Sequence, residues 1–301
     1  MSLTSRWETA ALLIVAERMG RAIRSPARDA MLSHAAAQTG LGWGFGLHEA
    51  LDQTGAIVGP LLVSAVLYLQ YGYQDAFAVL VFPALISIAL VVSAMFVFPR
   101  PRDFELTPPA LATVGITRPY WLYLAGVALV GAGYADFALI SYHFGRASVV
   151  AAPVIPLLYA VAMASSGAAA LILGRLFDSY GMIVVVAATS AAAIASPLVF
   201  LGGAPEVIVG IVLWGIGMAT QESIMRAVIA GMSSPDRRAT AFGILNAVFG
   251  VAWFVGSVLL GVVYDWSVAN AAILSLLLQI SAIPILLALI SKDKDTTNAT
   301  G

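Results

Sequence analysis

Cysteine is absent from this 301-residue chain, which excludes disulfides, thiolate metal sites and cysteine nucleophiles. Charge is scarce: 10% of residues are Asp, Glu, Lys or Arg, against about a quarter in a typical soluble domain. So few charges cannot cover the surface of a water-soluble fold of this length. The net charge of −1 comes with no basic tract for nucleic acid and no acidic tail. No metalloprotease helix, nucleophile elbow or phosphate-binding loop occurs, and neither a metal site nor a cofactor is expected. Gly40, Gly42, Gly44 and Gly46 form no nucleotide fingerprint, because no strand precedes them. Charged Glu17-Arg18 follow the first apolar run, so no cleavable signal peptide is predicted.

What the chain has in abundance is apolar surface: 60% of residues are hydrophobic and the mean hydropathy is +0.93. Lipid is therefore the expected solvent, and lipid requires every backbone N–H and C=O to be satisfied internally. The apolar runs are long and unalternating, which points to helices rather than barrel strands. The expectation is an all-α polytopic membrane protein of about nine transmembrane helices. The segments are 8–24, 43–68, 76–98, 120–143, 149–173, 182–202, 206–230, 239–263 and 268–290. A Pro-rich stretch, 99–118, reads as a cytoplasmic linker between residues 1–98 and 119–291, with 292–301 as a tail. Alternating the loops puts thirteen of the fifteen Lys and Arg residues on one side and only Arg6 and Arg146 on the other. That bias predicts a cytoplasmic C-terminus in a cell inner (plasma) membrane protein. Tyr and Trp near span ends, such as Tyr120, Trp121, Tyr264 and Trp266, read as interfacial belts.

An internal repeat accounts for the odd number of spans. Segment 45–67 aligns without gaps on 242–264 at an offset of 197: Phe45, Gly46, Ala50, Val58, Gly59, Leu62 and Val66 fall on Phe242, Gly243, Ala247, Val255, Gly256, Leu259 and Val263. The offset also sets Ala30 on Ala227. Residues 119–291 then supply six spans, and 1–98 supply counterparts of only the last three of them. Nine reads as twelve minus three.

Two six-helix bundles in the same orientation are the architecture of the major facilitator superfamily. The stretch from Glu17 through Arg24, Pro26, Arg28 and Asp29 to Ala30 resembles the end of helix four in a prokaryotic branch of it. The run Phe45-Gly46-Leu47-His48, Asp52 and Gly55 to Pro60 is similar to that branch's helix five. The Gly55-x-x-x-Gly59-Pro60 segment resembles a signature of proton-coupled efflux permeases. Its glycines, four apart, would open a groove for close helix approach, and its proline would kink the helix. Gly174 to Gly181, with Asp178 between, resembles the superfamily's short cytoplasmic loop. There Gly181 would make the tight reversal, and Asp178 would bond a neighbouring helix end or arginine to lock one conformation.

Ionisable residues inside spans are the remaining candidates, since a buried charge in lipid normally faces a bundle interior or a water-filled path. His48, Glu49 and Asp52 share one helical face and could couple protons or merely tie helix five to cytoplasmic arginines. Asp136, deep in span 120–143, is the best single candidate for a buried proton or substrate-cation site. Glu222 and Arg226 are four apart and read most simply as an intrahelical ion pair. Arg24, Arg28 and Asp29 could gate by pairing with acidic groups, or the arginines could anchor at headgroups.

The resemblance implies secondary active transport of a small solute within the bilayer, with protons as coupling ion and an antiporter's export of hydrophobic or cationic compounds. The alternatives are a metabolite symporter and a non-transporting remnant or membrane-embedded partner. No enzymatic activity and no nucleic-acid partner is expected.

Overall fold

The computed structural model describes residues 7–69, 73–97, 118–151 and 154–298. The described residues are almost wholly helical: α1 (Trp7–Ala35), α2 (Leu41–Tyr68), α3 (Tyr73–Val79), α4 (Val81–Val97), α5 (Arg118–Gly133), α6 (Phe137–Ala147), α7 (Ile155–Tyr180), α8 (Met182–Ala193), α9 (Ala195–Leu201), α10 (Ala204–Ala219), α11 (Met225–Met232), α12 (Arg238–Trp266) and α13 (Val268–Asn298). Six helical stretches among them are long and apolar enough to cross a membrane, all between Arg118 and Ile290. The all-α polytopic expectation stands. Most of the expected linker and the last three residues of the tail lie outside the described residues.

Four expected spans are interrupted rather than continuous; the first, 76–98, breaks at Leu80 between α3 and α4. Span 120–143 breaks at Tyr134–Asp136, just after Gly131 and Gly133. Span 182–202 breaks at Ile194, because Pro197 has no N–H for the Ala193 carbonyl and its ring crowds that oxygen. Span 206–230 contains a π-helical turn at Thr220–Ile224, a local widening of the helix that is common at functional sites. The first helix also runs past its expected end at residue 24, through Pro26, to Ala35.

The core lies in residues 118–290. Helices α5, α12 and α13 pack together, with α8 and α9 against α13 and α10 against α7. Tyr120 and Tyr123 are almost wholly buried there and donate to the carbonyls of Ala241 (2.8 Å) and Met225 (3.0 Å). Tyr120 and Tyr264 are therefore core residues, not the interfacial belt expected of them; Trp121 and Trp266 are exposed. The first helices join this core unequally. α2 packs along α7, and α1 packs on α12. In α4 every described side chain is exposed.

Candidate functional site

The junction of α2 with α7 is built on missing side chains. A Cβ at Gly42 would strike the Gly174 carbonyl, one at Gly174 would strike the Gly42 carbonyl, and one at Gly46 would strike the Ala170 carbonyl. The two backbones therefore touch directly along this stretch, as small residues permit in lipid. Asp178, in the last turn of α7, closes the end of the seam. Its Oδ1 accepts from Gly42 N (2.7 Å) and its Oδ2 from Trp43 N (2.8 Å). A carboxylate thus satisfies two of the orphan donors at the start of α2, where the helix dipole favours negative charge. Beside it the Arg175 guanidinium sits 4.1 Å from the centre of the Trp43 ring. Gly181 ends α7 at φ +63°, a conformation that disfavours a side chain.

The other glycine pair of α2 behaves differently. A Cβ at Gly55 or Gly59 would meet nothing within 4 Å among the described residues. The close approach expected of the Gly55–Pro60 segment is made instead at Gly42 and Gly46. The side chain of Pro60 lies outside the described residues.

A charge network adjoins the seam. Asp29, fully buried on α1, accepts from Arg28 Nε (3.0 Å) and Nη2 (2.9 Å), and its Oδ2 lies 3.8 Å from Arg226 Nε. Arg226 also forms the expected pair with Glu222, which stands on the π-helical turn. Sequence reasoning placed Asp29 and Arg226 in separate arrangements; the fold joins them. Arg24 is exposed. The 197-residue offset sets Asp29 on Arg226, and it sets Phe45 on Phe242, whose rings lie 5.9 Å apart.

His48, Glu49 and Asp52 do not act as one face. Glu49 is 3% exposed and accepts from Gln53 Nε2 at 2.5 Å. Its electrostatic neighbours include Glu222, Arg226 and Asp52. Asp52 is exposed and His48 is half-buried. Buried Gln53, which no sequence signal singled out, is what holds Glu49.

Asp136 is not inside a continuous helix. It caps α6, with extended backbone at ψ 143° and Oδ1 accepting from Ala138 N at 3.4 Å. The carbonyls freed by the break are satisfied from far along the chain. Gly133 O accepts from Ser275 Oγ (2.5 Å) and Gln279 Nε2 (3.1 Å), and Ala135 O accepts from Trp214 Nε1 (2.8 Å). Non-helical backbone at membrane depth is tolerated where neighbouring helices re-satisfy it in this way.

The family model for the Major Facilitator Superfamily matches residues 124–300. Over 287 residues the chain is 35% identical to uncharacterised proteins of Mycobacterium tuberculosis and Mycobacterium bovis, covering 93% of this chain and 70% of theirs. An uncharacterised MFS-type transporter of Methanocaldococcus jannaschii is 28% identical, over 89% of this chain and 68% of its own. Among solved structures, a bacterial homologue of the iron transporter ferroportin in an outward-facing state matches with a TM-score of 0.59 at 13% identity. That match covers 83% of this chain and 64% of the other, so the chain spans under two thirds of that transporter's length. This last likeness bears on the fold alone. With the family model matched over more than half its length, the chain belongs to the major facilitator superfamily.

Proposed function

We propose that the chain carries out secondary active transport of a small solute by alternating access, exchanging the solute outward against protons. Transport of a solute across a membrane follows from the family; coupling, direction and site roles are our reading. The observation behind it is the unequal closure of α2. One end is sealed on α7 by Gly42, Gly46, Gly174 and Asp178, while the other leaves Gly55 and Gly59 uncovered. A helix in backbone contact at one end, and with an open glycine face at the other, suits a two-state rocking element. In this reading the sealed end is cytoplasmic, as the basic-residue bias and a cytoplasmic C-terminus require. Residues 1–98 serve as counterparts of the last three helices of a six-helix bundle, 99–118 as the linker and 119–291 as the complete bundle.

Glu49 is the proposed proton carrier, with Glu222, Arg226 and Asp29 as the groups that sense it. Protonating one acid of such a network frees Arg226 from part of its attraction and weakens the hold of α1 on α11. His48 and Asp52 lie next to this path, and export is favoured by the likeness of Gly55–Pro60 to the efflux signature. The test is a panel of candidate solutes in proteoliposomes carrying an imposed pH gradient. Solute should run opposite to the protons; movement in the same direction would overturn the export reading and favour a metabolite symporter.

A second reading is favoured by the exposure of α4 and of Gly55: a non-transporting, membrane-embedded partner whose open faces are covered by other helices. Its mark would be a well-folded chain that moves no solute in those vesicles.

A further inference from the structure

We infer that Asn246 of α12 is a positioning residue for Glu49, acting through Gln53. As α2 and α12 close on each other, the Asn246 amide donates to Gln53, and a chain of hydrogen bonds runs from Asn246 through Gln53 to the Glu49 carboxylate. The inference deepens the transport reading, and its meaning for proton exchange rests on Glu49 being the carrier.

Two buried atoms without partners are the first observation. Gln53 is 4% exposed; its Nε2 donates to Glu49 Oε1 at 2.5 Å, while its Oε1 accepts from nothing among the described residues. An ionised carboxylate can only accept, which fixes the amide with Nε2 toward Glu49 and Oε1 away from it. On α12, Asn246 Nδ2 is shut off from solvent and donates to nothing among the described residues. One atom is an acceptor lacking a donor and the other a donor lacking an acceptor, so each is what the other needs. Buried polar groups left this way are rare and costly, because they have lost water and gained no partner.

The second observation is that the two side chains stand at one level. α12 begins beside the end of α1, where Arg238 Nη1 meets His34 Nδ1 at 3.3 Å, and α2 begins shortly after α1 ends. Both helices therefore leave the same end of the molecule, and in the second turn of each the rings of Phe45 and Phe242 meet, their centroids 5.9 Å apart. One turn on, about 6 Å further along each axis, come Glu49 and Asn246. Gln53 lies a turn beyond Glu49 but bends back to bond it, which brings its amide to that same level. Its stem is seated on α7, where the missing side chain of Gly167 leaves room for Gln53 Cβ. Closure of α12 on α2 beyond the Phe45–Phe242 contact carries the Asn246 donor toward Gln53 Oε1.

The chemistry gives this link a sign. An amide that accepts at its oxygen is a stronger donor at its nitrogen, since bonds in a chain polarise one another. Asn246 therefore strengthens the hold of Gln53 on the ionised carboxylate, and favours proton release from Glu49 when the two helices are together. The charged groups that also act on Glu49 are Glu222 on the π-helical turn, Arg226 on α11 and Asp52 on α2; all three remain in every variant below. A neutral amide is the fitting partner here, because a second carboxylate at position 246 would oppose that release.

The chain has no cysteine, so paired cysteines introduced into the purified full chain report proximity cleanly. Gln53→Cys with Asn246→Cys should be joined by a short bifunctional thiosulfonate. Gln53→Cys with Val251→Cys, at an exposed position of α12, should not. No joining of the first pair, or equal joining of both, overturns the inference. Infrared titration of the protonated-carboxyl band that Glu49→Gln removes gives an independent reading. Asn246→Leu should move the midpoint of that band upward by about one pH unit, and Asn246→Gln, which keeps the donor, should restore most of the shift. An unmoved midpoint in Asn246→Leu, or no recovery in Asn246→Gln, overturns the inference even where vesicles still exchange solute for protons. A joined pair and a moved midpoint in a chain that moves no solute would sink the transport reading and leave the amide chain standing.

Discussion

The two halves of α2 carry the same kind of glycine spacing and put it to opposite use. Gly42 and Gly46 let the backbone of α7 come into contact, while Gly55 and Gly59 face open space among the described residues. The repeat sharpens the contrast. Gly256, the equivalent of Gly59 in α12, is pressed against the backbone of Ala132 on α5. Glycines four apart therefore specify a groove, and the neighbouring helix decides whether it is filled. In α2 the groove is filled at one end and open at the other, although Ala56 and Ile57 still pack against the core from another face.

Three substitutions would break or sharpen this contrast. The largest effect is expected from Gly46→Val, whose side chain must displace the Ala170 carbonyl; overpacking of this kind costs about 1–3 kcal/mol. Thermal unfolding in detergent, followed by intrinsic tryptophan fluorescence, should show a clear fall in Tm, and an unchanged Tm would mean the seam is not tight. Next comes Asp178→Ala, which strips the carboxylate from Gly42 N and Trp43 N. Loss of a helix cap costs about 1 kcal/mol, and hydrogen exchange should quicken at the first turn of α2 while α13 keeps its protection. The smallest effect, of opposite sign, belongs to Gly59→Ala. An uncovered helical glycine replaced by alanine gains up to about 1 kcal/mol, so Tm should hold or rise. A fall there would show that a partner helix fills the groove.

Much of this arrangement was legible in the sequence, for identifiable reasons. The pair Glu222–Arg226 follows from helical spacing alone, and the cap made by Asp178 follows from the likeness of Gly174–Gly181 to a known loop. The meeting of Phe45 with Phe242 follows once the repeat is treated as a symmetry. Other parts depend on residues far away in the chain. Nothing local to Gly42 and Gly46 says that Ala170 and Gly174 will lie against them, since four alternating glycines fit many roles. The break at Asp136 had local hints in Gly131 and Gly133, yet its stability rests on Trp214, Ser275 and Gln279, some 80 to 146 residues away. Apolar periodicity reports which residues avoid water. In lipid it cannot separate a continuous helix from a broken one whose carbonyls are bonded by another helix.

On our reading of residues 1–98 and 119–291 as repeats of one bundle, the contact of Asp29 with Arg226 has a consequence for descent. Two identical copies of one bundle would place like against like at the axis: two aspartates, or two arginines, facing one another in a medium that punishes unpaired charge. Opposite signs at equivalent positions remove that conflict and can arise only after the copies have diverged. On that reading the pair is a mark of lost symmetry, one that tells the two repeats apart at this point.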